Sequence, residues 1–170
     1  AAQTSFSNII SGFFILSEKS IKIGDYITIK DVSGTVDSID MLSVKIKTPD
    51  NQMVRVPNET IIKENLQNTS FYPTRRLNVN VSISYDDDME KALEVLSKVP
   101  DKCSCIIKDS ESFAYYDGFG NSGINLVLSV FLNNSDLITA KNQVYIEIKK
   151  AFDQANIQIP FAQLYVKVNQ

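Results

Sequence analysis

The sequence predicts an α+β chain of three parts: an N-terminal amphipathic helix, a small β-barrel, and a β-α-β-β-α-β unit. Three observations predict it. Apolar residues recur at helical spacing through the first 18 positions; from Ile21 the period drops to two, with turn residues between short runs; and beyond Leu77 strand-period and helix-period segments alternate. The chain has 170 residues, 44% of them hydrophobic and 22% charged, enough for one generous domain or two small ones without disulfide or metal support.

Residues 5 to 18 read as the helix, with Phe6, Ile9, Ile10, Phe13 and Phe14 on one apolar face. Thr4, Asn8, Ser11 and Gly12 on the other side are small and uncharged, where a solvated face normally carries Lys and Glu. Two readings stay open: a helix laid over a core by its apolar face, or one whose small residues make close contact. The apolar run Ile9 to Leu16 is far shorter than the roughly 20 residues of a membrane-spanning helix.

In the barrel, Ile21, Ile23, Ile27 and Ile29 predict a strand interrupted at Gly24-Asp25, and Asp31-Val32-Ser33-Gly34 a turn. Val36, Ile39, Leu42, Val44 and Ile46 give one bent strand or a pair, and Thr48-Pro49-Asp50-Asn51 another turn. Met53 to Val56 is a short strand, Glu59 to Glu64 a single helical turn, and Leu66 to Ser70 a last strand. Tyr72-Pro73 is the boundary, because proline holds the preceding residue extended and a polar restart follows.

In the second unit, Leu77, Val79, Val81 and Ile83 alternate as a strand, and Asp86-Asp87-Asp88 opens a helix with Met89, Ala92, Leu93, Leu96 and Val99 on one face. A strand is expected around Cys103 to Lys108, a glycine-rich loop at Asp117 to Gly123, and an apolar strand from Ile124 to Leu132. Asn134-Ser135-Asp136 caps a helix reaching about Asn156, and Leu164 to Val168 closes a ferredoxin-like order.

Composition removes much chemistry. With no histidine, a histidine general base, Ser-His and Cys-His nucleophile pairs and histidine-ligated metals are excluded. A net charge of −3 disfavours nucleic acid, and Arg75-Arg76 beside Phe71-Tyr72 is too small to form a binding groove. Cys103 and Cys105, on one face of a strand, are unsuited to bridge each other and read as reduced packing residues. The aspartate run fits a helix start better than a cation site, and the glycine loop enters a strand, not the helix a phosphate cradle needs.

The helix Ser7-Asn8-Ile9-Ile10-Ser11-Gly12 leads into Ile23-Gly24-Asp25-Tyr26; Val32-Ser33-Gly34-Thr35-Val36, Val56-Pro57-Asn58 with Ile61-Ile62, and Asn68-Thr69-Ser70 follow. In the second unit stand Ser84-Tyr85-Asp86, Gly123-Ile124-Asn125-Leu126, and Ile157-Gln158-Ile159-Pro160-Phe161 with Gln163. In that order, over most of the chain, these resemble the MscS family of small-conductance mechanosensitive channels.

The resemblance implies that residues 1–20 are the end of a pore-lining transmembrane helix lying along the membrane face. Residues 21–72 would be an Sm-like β domain and 73–170 a ferredoxin-like cytoplasmic domain. It further implies a homoheptamer in the inner membrane of a bacterium, opened by tension on hypo-osmotic shock to pass ions and small solutes, with no catalysis and no cofactor. The pore constriction and a closing C-terminal barrel would lie outside this chain, and the excised chain is expected to associate weakly. By the same resemblance Asn8 and Gly12 sit where the helix meets the β domain, above the Pro57-Asn58 turn. Glu59 stands where relatives often have glycine, and Ser20-Ile21 where they have Pro-Phe. A ferredoxin-like ligand-sensing module and an Sm-like RNA-binding protein are the alternative functions.

Overall fold

The computed structural model describes residues 2–108 and 110–164. The chain divides into two compact units, residues 1–73 and 74–170.

The first unit opens with α1 (Ala2–Glu18), in which Glu18 is the one charged residue. Its buried positions are Asn8, Ser11, Gly12 and Ile15, the i, i+3, i+4, i+7 stripe of one face. Phe6, Ile9, Ile10, Phe13 and Phe14 are exposed instead, Phe13 at 71%. Of the two readings of this helix, close contact through small residues is the one observed.

Five antiparallel strands follow, β1 (Tyr26–Ile29), β2 (Val32–Ile39), β3 (Ser43–Lys47), β4 (Met53–Pro57) and β5 (Leu66–Asn68), in the order β4-β3-β2-β1-β5. A bulge between Val36 and Ser38 bends β2. Ile27, Ile29, Val36, Val44, Ile46 and Val56 fill the interior, which Ile15 enters from α1 and Ile61 from the short helix α2 (Asn58–Lys63).

Two expectations shift here. The strand begins at Tyr26, because Ile21 to Asp25 forms a turn closed by Lys22 N–H donating to Asp25 Oδ2, with Gly24 at φ +93°. The β1–β2 turn is Lys30-Asp31, with Ile29 paired to Val32, so Gly34 lies inside a strand. Its reason is close approach: a Cβ there would sit 2.3 Å from the Lys47 carbonyl oxygen.

In the second unit β6 (Thr74–Ile83), β7 (Phe113–Phe119) and β8 (Ile124–Asn133) form an antiparallel sheet in the order β6-β8-β7. Helices α3 (Met89–Ser97) and α4 (Leu137–Ala155) bury Ala92, Leu96, Val144, Ile148 and Phe152 against Val79, Leu126, Leu128 and Val130. Asp88 caps α3 by accepting the Lys91 N–H, and Asn156 ends α4 in the left-handed conformation.

The second strand of this unit is Phe113–Phe119, not Cys103 to Lys108. That earlier segment follows a 3-10 turn at Pro100–Lys102 and makes only an isolated bridge from Ile106 to Leu132. Cys103 and Ile106 are buried three residues apart, a spacing that a strand with one buried face does not have. Of the expected last strand, Leu164 is irregular and the rest lies outside the described residues. Segment 157–163 crosses the strand ends: Ser84 N–H donates to Gln158 O, and Gln163 N–H to Ser122 Oγ.

Candidate functional site

The residues singled out in the sequence meet where α1 lies on the β domain. Pro57 ends β4 and precedes α2, so Asn58 opens that helix beneath α1. Asn58 is fully buried. Its Nδ2 faces three carbonyl oxygens, of Asn8 at 3.2 Å, Asp40 at 3.0 Å and Met41 at 3.0 Å, and its backbone N–H donates to Leu42 O. Three acceptors around one group fix the amide orientation, since the flipped form would point an oxygen at all of them. Asn58 Oδ1 is left without a protein partner.

Asn8 answers from the helix. Its Nδ2 donates to Thr4 O one turn back, and its Oδ1 accepts the Glu59 N–H at 2.9 Å. That N–H is among the free donors of the first turn of α2, so Asn8 acts as a cap supplied by another helix. Gly12 is the condition for the approach: a Cβ there would lie 2.6 Å from Asn58 Nδ2 and 3.0 Å from Met41 O. The structure therefore brings Asn8, Gly12, Asn58 and Glu59 together, with Pro57 at the hinge between strand and helix.

The Glu59 side chain pairs with Lys63 on α2. The Lys63 ammonium, then a hydrogen bond from Ser7, holds its carboxyl below the ordinary glutamate range against a smaller desolvation effect. Glu59 thus touches α1 through both backbone and side chain, at the adjacent residues Asn8 and Ser7. Ser11 lies on the small-residue face read from the sequence, whereas Ile15, which completes the buried stripe, is not read there as a contact residue. The signal is the spacing, since Ile15 continues that of Asn8 and Gly12.

Elsewhere the other motifs take structural roles. Asp87 accepts the N–H groups of Ser84 and Gln158, tying the turn before α3 to the C-terminal segment. The cysteines are free, and burial followed by Glu147 pushes the Cys103 thiol up, away from thiolate reactivity. No group of three or more metal-ligating side chains occurs among the described residues.

Residues 4–71 match the family described as "Mechanosensitive ion channel, beta-domain", and residues 77–159 that described as "Mechanosensitive ion channel MscS, C-terminal". The chain belongs to the MscS family.

An MscS family protein of Archaeoglobus fulgidus is 34% identical over 98% of this chain and 59% of its own length. A small-conductance mechanosensitive channel of Edwardsiella ictaluri is 31% identical over 100% of this chain and 59% of its own. The chain therefore spans somewhat over half the length of these curated relatives. Among solved structures, Helicobacter pylori MscS in its closed state superposes with a TM-score of 0.90 at 24% identity, covering 99% of this chain and 67% of that one, a likeness of fold. This is a channel family rather than an enzyme class, and its members are membrane proteins; no described helix here is long and apolar enough to cross a membrane.

Proposed function

We propose that this chain is the membrane-proximal and cytoplasmic portion of a tension-gated channel that opens on hypo-osmotic shock to release ions and small solutes. One observation carries the reading: α1 is held to the β domain by a narrow stripe of Asn8, Ser11, Gly12 and Ile15, while Phe6, Ile9, Ile10, Phe13 and Phe14 are exposed and its one charge is Glu18 at its C-terminal end. In water alone such a helix would bury the aromatic side. The observed choice suits a helix that meets lipid and neighbouring copies on its apolar side, in a homoheptamer of the inner membrane with residues 21–170 on the cytoplasmic side.

In this reading Asn8, Gly12, Pro57, Asn58 and Glu59 form the contact through which the position of α1 is passed to the β domain. Tension acts only through a difference between states, here the larger in-plane area of an open pore. A contact built on one buried amide and one glycine suits that role, because it is made at one helix position and lost with a small shift.

The test is patch-clamp recording of the full-length parent in cells lacking their own mechanosensitive channels. Tension-activated current that changes its threshold or decay in Asn58→Ala supports the reading. Silence from protein shown to be in the membrane overturns it.

A further inference from the structure

Two motifs read in the sequence, Ile23-Gly24-Asp25-Tyr26 and Asn68-Thr69-Ser70, take no part in the Asn8–Asn58 contact, and the structure brings them together at the other end of α1. Lys19 ends the helix in the left-handed conformation, at φ +55°, and Ser20 to Asp25 turns into β1. Asn68, half-buried in β5, is clamped to that turn. Its Nδ2 donates to Ser20 O at 2.9 Å and to Asp25 Oδ2 at 2.7 Å, and its Oδ1 accepts the Ser70 N–H at 3.0 Å. Both amide hydrogens and the oxygen are thus used, which fixes the orientation of the side chain. Asp25 Oδ2 also accepts the Lys22 N–H, and Ser70 Oγ accepts the Tyr26 N–H, so the linker is laced to the end of β5. Ile15 and Ile21, on either side of the bend, are both buried in the barrel interior.

We propose that Asn68 is the positioning residue of a pivot: it holds the linker between α1 and β1 still, so that α1 moves by tilting about its C-terminal end and not by leaving the β domain as a whole. The two ends of the helix differ in the way this requires. Near Ser20 the chain is held by a charge-assisted bond to Asp25 and by the flanking burial of Ile15 and Ile21, and near Asn8 by neutral hydrogen bonds and a missing side chain. Asn8 lies ten residues before Glu18, about 15 Å along the helix at about 1.5 Å per residue, so a tilt of about 10° carries it through about 2.5 Å. That opens the 2.9 Å bond to the Glu59 N–H while Asn68 keeps its partners. That tension supplies the force rests on the reading proposed above; the clamp stands on its own contacts.

Amide exchange of the purified full-length parent, read by mass spectrometry, reports the two ends separately, because the Lys22 and Tyr26 N–H groups are bonded at the clamp and the Glu59 N–H at the Asn8 contact. Expected in Asn58→Ala is faster exchange in residues 57–63 with residues 20–26 unchanged. In Asn68→Ala exchange of residues 20–26 should rise about tenfold or more, as the loss of two hydrogen bonds gives. Exchange that rises equally in both segments in Asn58→Ala, or stays unchanged in residues 20–26 in Asn68→Ala, overturns the pivot. Asn68→Asp, which sets two carboxylates together, should exceed Asn68→Ala, and adding Asp25→Asn should recover part of the loss; no recovery overturns the Asn68–Asp25 pairing. Patch recording of the same preparation in liposomes gives the readout that a merely structural role would not move. Asn58 and Asn68 share no hydrogen-bond partner, so purely structural effects of the two add. With Asn68 as the pivot, the shift of tension threshold in Asn58→Ala should be lost when Asn68→Ala is added, and a shift of the same size in both backgrounds overturns the positioning role. Exchange as expected but no tension-activated current from the wild type would sink the channel reading and leave the pivot standing.

Discussion

The two units hold their helices in opposite ways. In the second unit α3 and α4 are fixed by aliphatic burial, with Leu96, Ile148 and Phe152 each at most 2% exposed against β8. In the first, α1 turns its aromatic side outward and is held by Asn58, Asn8 and the missing side chain of Gly12, with Ile15 alone reaching the core. Hydrophobic burial is non-directional, whereas an amide nitrogen held among three carbonyl oxygens at fixed positions is not. The first kind of contact rests on area and the second on geometry.

Several substitutions would sharpen or break that contrast. The largest effect is expected for Phe152→Ala, which removes a fully buried ring and should destabilise the second unit by about 3–5 kcal/mol in chemical denaturation, leaving hydrogen exchange of α1 unchanged. Exchange that rises equally in both units would show that they do not unfold separately. Next is Asn58→Asp, which sets a carboxylate oxygen against the carbonyls of Asn8, Asp40 and Met41. It should cost the first unit about 3 kcal/mol, more than the roughly 1–3 kcal/mol of Asn58→Ala, and a reversed order would refute the assigned amide orientation.

Gly12→Ala is smaller because two effects oppose. The methyl group gains about 1 kcal/mol of helix propensity but meets Asn58, for a strain of about 1–3 kcal/mol. The expected signature is faster amide exchange across α2 and the first turns of α1, with the interior around Val44 and Ile46 unchanged.

The smallest effect is that of pH on Glu59. Its carboxyl is held below the ordinary value in the folded chain, so its contribution is complete above that value and is lost as pH falls through the lowered one. Protection of α1 in wild type should decline in that acid range and show no such step in Glu59→Gln. A step that persists in the variant would assign it to another carboxylate.

Much of this architecture was legible from periodicity. The spacing of Leu77 to Ile83 and of Leu137 to Ala155 reads one face of a strand and of a helix because a core on that side demands it. Where reading failed, local pattern and tertiary need diverged. Gly34 looks like a turn residue and is a strand residue pressed on the Lys47 backbone, and the apolar residues from Cys103 to Ile107 belong to an irregular segment that buries Cys103 and Ile106. At the site, Asn8, Gly12 and Asn58 were found by resemblance; spacing alone flagged only that α1 has an uncharged second face.

By itself the sequence determined most of the elements, the break near Pro73 and the absence of histidine chemistry, because these follow from local geometry and composition. Only the tertiary structure decided which face of α1 is buried. Hydrophobicity measures how strongly a side chain avoids water, not what replaces the water, so Phe6, Phe13 and Phe14 announce an apolar surrounding without naming it. That the helix instead seats on Asn58 depends on three carbonyls converging from loop and helix, at 3.0 to 3.2 Å from one nitrogen, and no spacing along the chain encodes that convergence.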